Sequence, residues 1–562
     1  MIRLATVFSG IGAVEHALDR MDLDYTIVFA CDNGNIDVLS KIIDADIDQI
    51  HDELISLKSI IANMNFNDND TYEKQLVNMF DLVQEEYNGI YARLNSSEFD
   101  LNETTVKMIL KNILNNANLN KNRLKLYAEF SNELNSNISS TQKNLLLCQI
   151  VLKVSNDFKK DNSLEDLGNK EINFVSSLGI DWSEISDALK NCYEKMEKCD
   201  GKKVIRSVQN LSKKVGQLHG KINSLYHLDK VNNLKSYDAK KKYVDNLYRS
   251  NEKRNKVKVS YNANYDCANE HYHWDAAFLD GNQYKNKVDL FVGGSPCQSF
   301  SIMGKQHGLS DTRGTLFYEY VRLVEEIQPK VFIYENVRAV LTNDCGRTWE
   351  VMKDIFNQLN YNVFFINNDE PSILNAKDYG IPQNRNRLFV VGFRDDLKLK
   401  NDFEFPKPLD LNWKMQDFLI ENSPKGSFMP KHDVAFINDI DEDSDENNLE
   451  KYFLSERIKK TILSSGTKNF YSKPEIDLEI ARPLVNSMHK MHRAGEDNYV
   501  TTNGKVRRLT PREALRLMGF SDDWKIVVSD TAMYQQAGNS IVVDVLIHII
   551  DEILKSYPQL GS

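Results

Sequence analysis

Hydrophobic positions recur along the chain with two different rhythms, and the change between them divides the molecule. Met1 to about Asp32 reads as a strand, a tight turn, a helix and a second strand. From about Asn35 to Tyr261 glycine becomes sparse and apolar residues return every three or four positions. Ile205-Val208-Leu211-Val215-Leu218-Ile222-Leu225 predicts a helix with one apolar stripe. Leu54-Leu57-Ile60-Ile61 and Val106-Ile109-Leu110-Ile113-Leu114 repeat the pattern. Such stripes read as ordinary core or coiled-coil seams, and the segment has the size of a normal domain. After Tyr261 short buried runs resume. Leu290-Phe291-Val292 ends in Gly293-Gly294, Val331-Phe332-Ile333-Tyr334 is the next strand, and Leu388-Phe389-Val390-Val391 another. Phe317-Tyr320-Val321-Val324-Ile327 is an amphipathic helix between them. Strands alternating with helices predict an α/β fold built on a doubly wound, mostly parallel sheet. From about Asp395 to Gly504 the rhythm breaks into a mixed region with an acidic loop, Asp439 to Glu446, and helices near Pro511–Met518 and Ser540–Leu554 close the chain. The expected division is 1–34 for the first part of the sheet domain and 35–261 for an all-α insertion. Residues 262–395 continue the sheet domain, 396–504 form a small variable domain, and 505–562 are the closing helices.

Proline usage sharpens the first boundary, because all 12 prolines of the 562-residue chain fall at Pro296 or later. Charged residues make up 27% and the mean hydropathy is -0.48, so a soluble protein is expected. No apolar run reaches the roughly 18 residues of a membrane span, and Met1 to Val7 lacks the blocks of a signal peptide. Seven cysteines without a CxxC pair argue against a disulfide framework and a zinc cluster, so a reducing cytoplasm and no metal are expected. The net charge of -11 does not advertise nucleic-acid binding, although phosphate contacts need only a local basic face. The cations from Lys240-Lys241-Lys242 through Lys253-Arg254 to Lys256 and Lys258 read as a solvated helix surface, with a phosphate-binding face as the alternative.

Three places carry candidate chemistry. Phe8-Ser9-Gly10-Ile11-Gly12 puts glycines between a strand and a helix, which permits a tight turn and a ligand at the helix N-terminus. A plain strand-to-helix turn shows the same GxG. About twenty residues on, Asp32 ends the second strand, where a carboxylate accepts hydrogen bonds from a ribose; a solvated strand end is the alternative. Gly293-Gly294-Ser295-Pro296-Cys297-Gln298-Ser299-Phe300-Ser301 puts a cysteine at the carboxyl edge of the sheet, where ligands bind in such folds. A cysteine after a strand is commonly inert core, but in a loop among glycines and a proline it reads as a reactive thiol.

With these residues the chain resembles the DNA (cytosine-5) methyltransferase family of bacterial or phage type. Phe8-Ser9-Gly10-Ile11-Gly12, Pro296-Cys297-Gln298, Glu335-Asn336-Val337 after the next strand, Gln383-Asn384-Arg385-Asn386-Arg387, Arg508-Leu509-Thr510-Pro511-Arg512-Glu513 and Gln536-Ala537-Gly538-Asn539-Ser540 are similar to family motifs and occur in family order. The resemblance implies a class I S-adenosylmethionine-dependent methyltransferase fold, with 396–504 as target-recognition domain. It also implies sequence-specific methylation of duplex DNA in a restriction-modification or self-protection system. Cys297 would add to carbon 6 of cytosine and Glu335 would serve ring nitrogen 3. Arg385 would hold the base carbonyl and lower the thiol pKa, and Arg387 would be structural or phosphate-facing. The base would be flipped out of the duplex, and a loop from Gln298 to about Gly314 would close on DNA through Gln298, Ser301, Lys305, Gln306 and Arg313.

For the donor, S-adenosyl-L-methionine, the matching positions are Phe8, Ser9, Gly10, Ile11 and Gly12 at the turn. Asp32 and Asn33 stand at the ribose, Asp275 and Ala276 at the adenine, and Pro296, Asn539 and Ser540 around the pocket. The family usually has Glu followed by an aromatic where Asp32-Asn33 stands. Lys468, Asn469, Arg482, His489, Lys490, His492 and Arg493 are candidate DNA contacts. The alternatives are an RNA cytosine-5 methyltransferase on the same fold, or a non-catalytic DNA-binding scaffold. The resemblance leaves the insertion open to self-association, a protein partner or extra grip on DNA.

Overall fold

A computed structural model describes residues 1–64, 71–97, 99, 101–115, 121–161, 182–295, 316–367, 370–421, 449–467, 470–471 and 473–561. Two compact units emerge, one of Met1–Asp37 with Lys230–Ser562 and one of Val38–Asp229.

The first unit begins with β1 (Ile2–Val7), α1 (Ala13–Arg20) and β2 (Tyr25–Cys31). The helices α2 (Ile47–Ala62), α3 (Thr71–Leu94), α4 (Glu103–Leu114), α5 (Lys121–Leu134), α6 (Ser140–Asp161), α7 (Trp182–Lys198) and α8 (Gly201–Asn232) follow. Asp46 starts α2 by accepting from the N–H groups of Asp48 and Gln49, and Asn102 does the same for α4 at Thr105. The apolar stripes converge on one core: Leu54 and Leu57, Val106, Ile109, Leu110 and Ile113, and Ile205, Val208, Leu211, Val215, Leu218 and Ile222 are all buried together.

Helices α9 (Tyr237–Tyr248) and α10 (Lys256–Asn264) belong to the first unit, although the helical rhythm of the sequence assigns them to the insertion. Their contacts give the reason. Asn255 Nδ2 donates to the Asp32 carbonyl at 3.0 Å, the Tyr261 hydroxyl to Glu15 Oε1 at 2.6 Å, and Lys240 pairs with Asp280 at 2.7 Å. Lys241 binds Asp245 and the Tyr272 carbonyl, and the buried Lys258 pairs with Glu252. Lys240, Lys241 and Lys258 are therefore spent inside the fold, while Lys242, Lys253, Arg254 and Lys256 are exposed, as a solvated helix surface requires.

After α10 come β3 (Tyr272–His273), β4 (Leu290–Gly293), α11 (Leu316–Ile327), β5 (Val331–Val337), α12 (Arg347–Asn357), β6 (Tyr361–Phe364), β7 (Ile373–Asn375) and β8 (Asn386–Arg394). The eight strands form one sheet in the order β3-β2-β1-β4-β5-β8-β6, with β7 also on β8. The first five are parallel and β8 runs antiparallel to its neighbours. Both faces are buried, as a mostly parallel sheet requires. Leu290, Val292, Val331 and Ile333 face a core shared with α1, and Phe291, Phe332 and Tyr334 face the core beneath α11 and α12. The chain closes with α13 (Glu456–Ile462), α14 (Pro511–Arg516), α15 (Asp530–Asn539) and α16 (Val543–Ser556). Among the described residues no helix is long and apolar enough to cross a membrane.

Candidate active site

Strand register alone gathers the candidates. Val7 pairs with Cys31 and Gly293, Cys31 with His273, and Gly293 with Tyr334. The next residue on each strand is Phe8, Asp32, Gly294, Trp274 and Glu335, so all five stand in one row at the carboxyl edge of the sheet. Glu335 lies inside β5 rather than after it, because β8 extends the pairing through Phe389–Glu335 to Arg387–Val337.

At the first turn Phe8, Gly10 and Gly12 all have positive φ, 54°, 55° and 81°. Gly12 is required, since a Cβ there would fall 2.2 Å from the Tyr265 ring, whose hydroxyl donates to the Gly12 carbonyl at 2.9 Å. No side chain caps α1, which leaves its first N–H groups to face the edge. Ser9 is spent on Thr6 and Cys31, and Ile11 is buried in the core. Asp32 receives the Gly10 N–H at 2.9 Å and the Gly34 N–H at 2.7 Å; burial raises its pKa, and these two bonds oppose the rise. Asp275 accepts from the Ala277 N–H and the Tyr248 hydroxyl, at 3.0 and 2.9 Å, and burial raises it too. The turn beginning at Ala276 is pinned by Arg322, which donates to the Ala276 and Leu279 carbonyls.

The second cluster surrounds Glu335. Arg387 Nε stands 3.0 Å from Glu335 Oε1. Burial pushes the Glu335 carboxyl above its ordinary value, and Arg387 and Arg385 pull it down. Glycine at 294 allows the approach, because a Cβ there would stand 2.7 Å from Glu335 Oε2. Asn336 Nδ2 donates to the Ser295 carbonyl at 3.2 Å and to the Tyr334 hydroxyl at 2.7 Å, while Ser295 Oγ and the Tyr334 hydroxyl lie 2.6 Å apart. The chain is thus fastened just before position 296. Pro296, Cys297, Gln298, Ser301, Lys305, Gln306 and Arg313 lie outside the described residues, as do Lys468, Asn469 and the acidic loop.

Two arginines stand in surroundings other than those expected of them. Arg385 is 3% exposed and donates to the carbonyls of Leu484, Gly538 and Ser540 at 2.8, 3.0 and 2.9 Å. Burial pulls its pKa down to about 9. It ties the start of β8 to the variable region and to the end of α15, and those bonds commit it away from a base. Arg387 faces Glu335 instead. Ser540 is buried with its hydroxyl on the Ile541 carbonyl, whereas Asn539 is exposed. Among the expected DNA contacts, the half-buried Arg482 guanidinium donates to the Ala494 carbonyl at 3.3 Å and stands 3.4 Å from Glu475. Lys490 is exposed, and His489, His492 and Arg493 are half-buried.

The profile of the C-5 cytosine-specific DNA methylase family matches residues 237–555, more than half of the chain. The chain belongs to this family. It is similar to the type II methyltransferase M.HhaI of Haemophilus parahaemolyticus, 36% identical over 46% of this chain and 74% of that protein. M.Eco47II of Escherichia coli is 32% identical over 50% of this chain and 69% of its own length. M.HaeII of Haemophilus aegyptius is 35% identical over 48% and 74%. The protein is a DNA cytosine-5 methyltransferase. Sequence reasoning about this methyltransferase missed Tyr248, Arg322 and the Ser295–Tyr334–Asn336 network. Tyr248, Arg322 and Tyr334 lie in no short motif, and the partners of Ser295 and Asn336, which do, are set by strand register.

Proposed function

We propose that this methyltransferase acts on cytosine in duplex DNA through a covalent adduct with Cys297, with S-adenosyl-L-methionine as donor. The observation that carries the reading is the Glu335–Arg387 pair, 3.0 Å apart at the carboxyl edge, beside the segment that leads into Cys297. Carbon 5 of cytosine is too weak a nucleophile to take a methyl group unaided. A thiolate added to carbon 6 breaks the ring's aromaticity and makes carbon 5 enamine-like. Glu335 answers the charge that then develops at ring nitrogen 3, and burial favours the protonated form that donates there. Arg387 holds the Glu335 carboxyl and presents its remaining N–H groups to the base carbonyl. After transfer the hydrogen at carbon 5 leaves as a proton and the Cys297 thiolate is expelled. The target is reached by flipping it from the stack, at a cost of a few kcal/mol.

The residues at the first turn suit the donor. The uncapped N-terminus of α1 fits a carboxylate, Asp32 fits ribose hydroxyls and Asp275 an adenine amino group. When bound, the donor supplies the methyl group as a sulfonium. Likeness to relatives named type II methyltransferases supports a place in restriction-modification or self-protection. Labelled donor incubated with duplex DNA, RNA or neither should label 5-methylcytosine in DNA; label in RNA alone would overturn the reading. A duplex carrying 5-fluorocytosine in the recognition sequence should become bonded to Cys297, and an adduct mapped to another residue would refute the nucleophile.

A further inference from the structure

The carboxyl ends of β2 and β3 are bridged by a side chain that no motif contains. Tyr248, the last residue of α9, directs its hydroxyl to Asp275 Oδ2 at 2.9 Å. Its ring lies parallel to the Trp274 indole, with centroids 5.1 Å and planes 8° apart. Lys258 stands over the same indole at 5.1 Å. Tyr248 is 1% exposed, so neither ring nor hydroxyl is free to swing into solvent. The other Asp275 oxygen takes the Ala277 N–H at 3.0 Å. Two donors at fixed angles remove the carboxylate's freedom to rotate and aim its remaining lone pairs in one direction.

We propose that Tyr248 is a positioning residue for the adenine end of the methyl donor, holding Asp275 ready to accept the exocyclic amino group. The inference rests on the donor reading above and deepens it, because the residue comes from the segment that returns from the helical insertion. An acceptor oriented in advance meets an amino group without reorganising, and that difference separates adenine from a purine lacking the group. Burial, with the Asp275 carboxylate beside it, pushes the phenol far above its ordinary value, so Tyr248 remains a donor at every working pH.

The test uses the full chain with S-adenosylhomocysteine and its analogue without the adenine amino group, titrated by calorimetry. Wild type should prefer the amino-bearing ligand by about tenfold, the worth of one good hydrogen bond. In Tyr248→Phe, which removes only a hydroxyl, binding of S-adenosylhomocysteine should weaken by about tenfold and the preference fall towards unity. The analogue should change by less than about twofold, a pattern that general loosening of the fold does not produce. An unchanged preference in the variant, whatever its Tm, overturns the inference. If Tyr248→Phe fails to fold, Tyr248→Leu, which also lacks the hydroxyl, is read by the same titrations and should lose the preference; a preference kept at about tenfold overturns the inference. Wild type binding both ligands equally would refute the role of Tyr248 alone. Wild type binding neither would remove the donor reading and this inference with it.

Discussion

Arg385 and Arg387 lie two residues apart, and replacing each should damage the protein in opposite ways. Arg385→Met keeps most of the side-chain volume but deletes three bonds to buried carbonyls, at 2.8, 3.0 and 2.9 Å. A stranded buried acceptor costs about 1–3 kcal/mol, so three amount to roughly 3–9 kcal/mol. Two effects bring the sum down. A carbonyl tolerates under-satisfaction better than an N–H, and the variant no longer buries a cation whose pKa is depressed to about 9. The net loss should be about 3–5 kcal/mol, near the top of the range for single substitutions. Arg387→Gln loses the contact with Glu335, between side chains 19% and 13% exposed, and a bond to the neighbouring Asn386 carbonyl, and should cost about 1 kcal/mol. Its methyl transfer should fall by about a hundredfold, as when one donor to a developing charge is removed. Urea midpoints and labelled-methyl transfer, measured on both variants, read the two effects. A folded, inactive Arg385→Met with an unchanged midpoint, beside an active Arg387→Gln, would refute the assignment of roles.

Three further outcomes are expected. Burial raises the Glu15 carboxyl to about 7, above its ordinary 4.5. The folded state therefore keeps a proton that the unfolded chain has released, and stability falls as pH rises from 4.5 to 7. Glu15→Gln should abolish that fall and gain up to about 3 kcal/mol at pH 8 relative to pH 4, read as urea midpoints at the two values; equal pH dependence in both proteins would contradict it. In the residual activity of Arg387→Gln, the alkaline limb of the kcat/KM profile should move to higher pH, because a cation that lowered the Glu335 pKa is gone; movement to lower pH would count against Glu335 as the acid. Replacing Val38–Asp229 by a flexible linker should leave a folded sheet unit with a cooperative thermal transition, since its cores share no residue with the helical one. Loss of that transition would show the insertion to be integral.

What the sequence made legible was set by local rules. A strand that ends in a glycine- or cysteine-bearing loop announces itself as a short continuous apolar run, and a parallel sheet then places all such loops at one edge. Phe8, Asp32, Gly294 and Glu335 could therefore be read as neighbours before any coordinate was known. The stripe from Ile205 to Ile222 was equally plain, because each of its residues is buried on one helix face. Helix α15 was hidden because only Met533, Tyr534, Gln536, Ala537 and Gly538 are buried, too irregular a set for a clear stripe. The fates of Arg385 and Arg387 were beyond reach for another reason. Both are arginines in one motif, and the difference is made by Leu484, Gly538 and Ser540, roughly 100 to 155 residues away in the chain.

The same logic explains the misplaced end of the insertion. Helical periodicity reports that a helix buries one face, and it carries no information about which core receives that face. Helices α9 and α10 share the rhythm of the insertion, yet four bonds tie them and their ends to the sheet: Asn255 to Asp32, Tyr261 to Glu15, Tyr265 to Gly12, Tyr248 to Asp275. These four partners are the first turn, the helix behind it and the ends of β2 and β3, which together form the proposed donor site. The segment that returns from the insertion is therefore what braces that site. A change of length or sequence within Val38–Asp229 leaves those bonds untouched, whereas a deletion carried on to Tyr261 removes the three on Asp32, Glu15 and Asp275. Cutting the two lengths separately should thus divide donor binding from whatever the helical unit does, with binding of S-adenosylhomocysteine kept by the shorter deletion and lost by the longer.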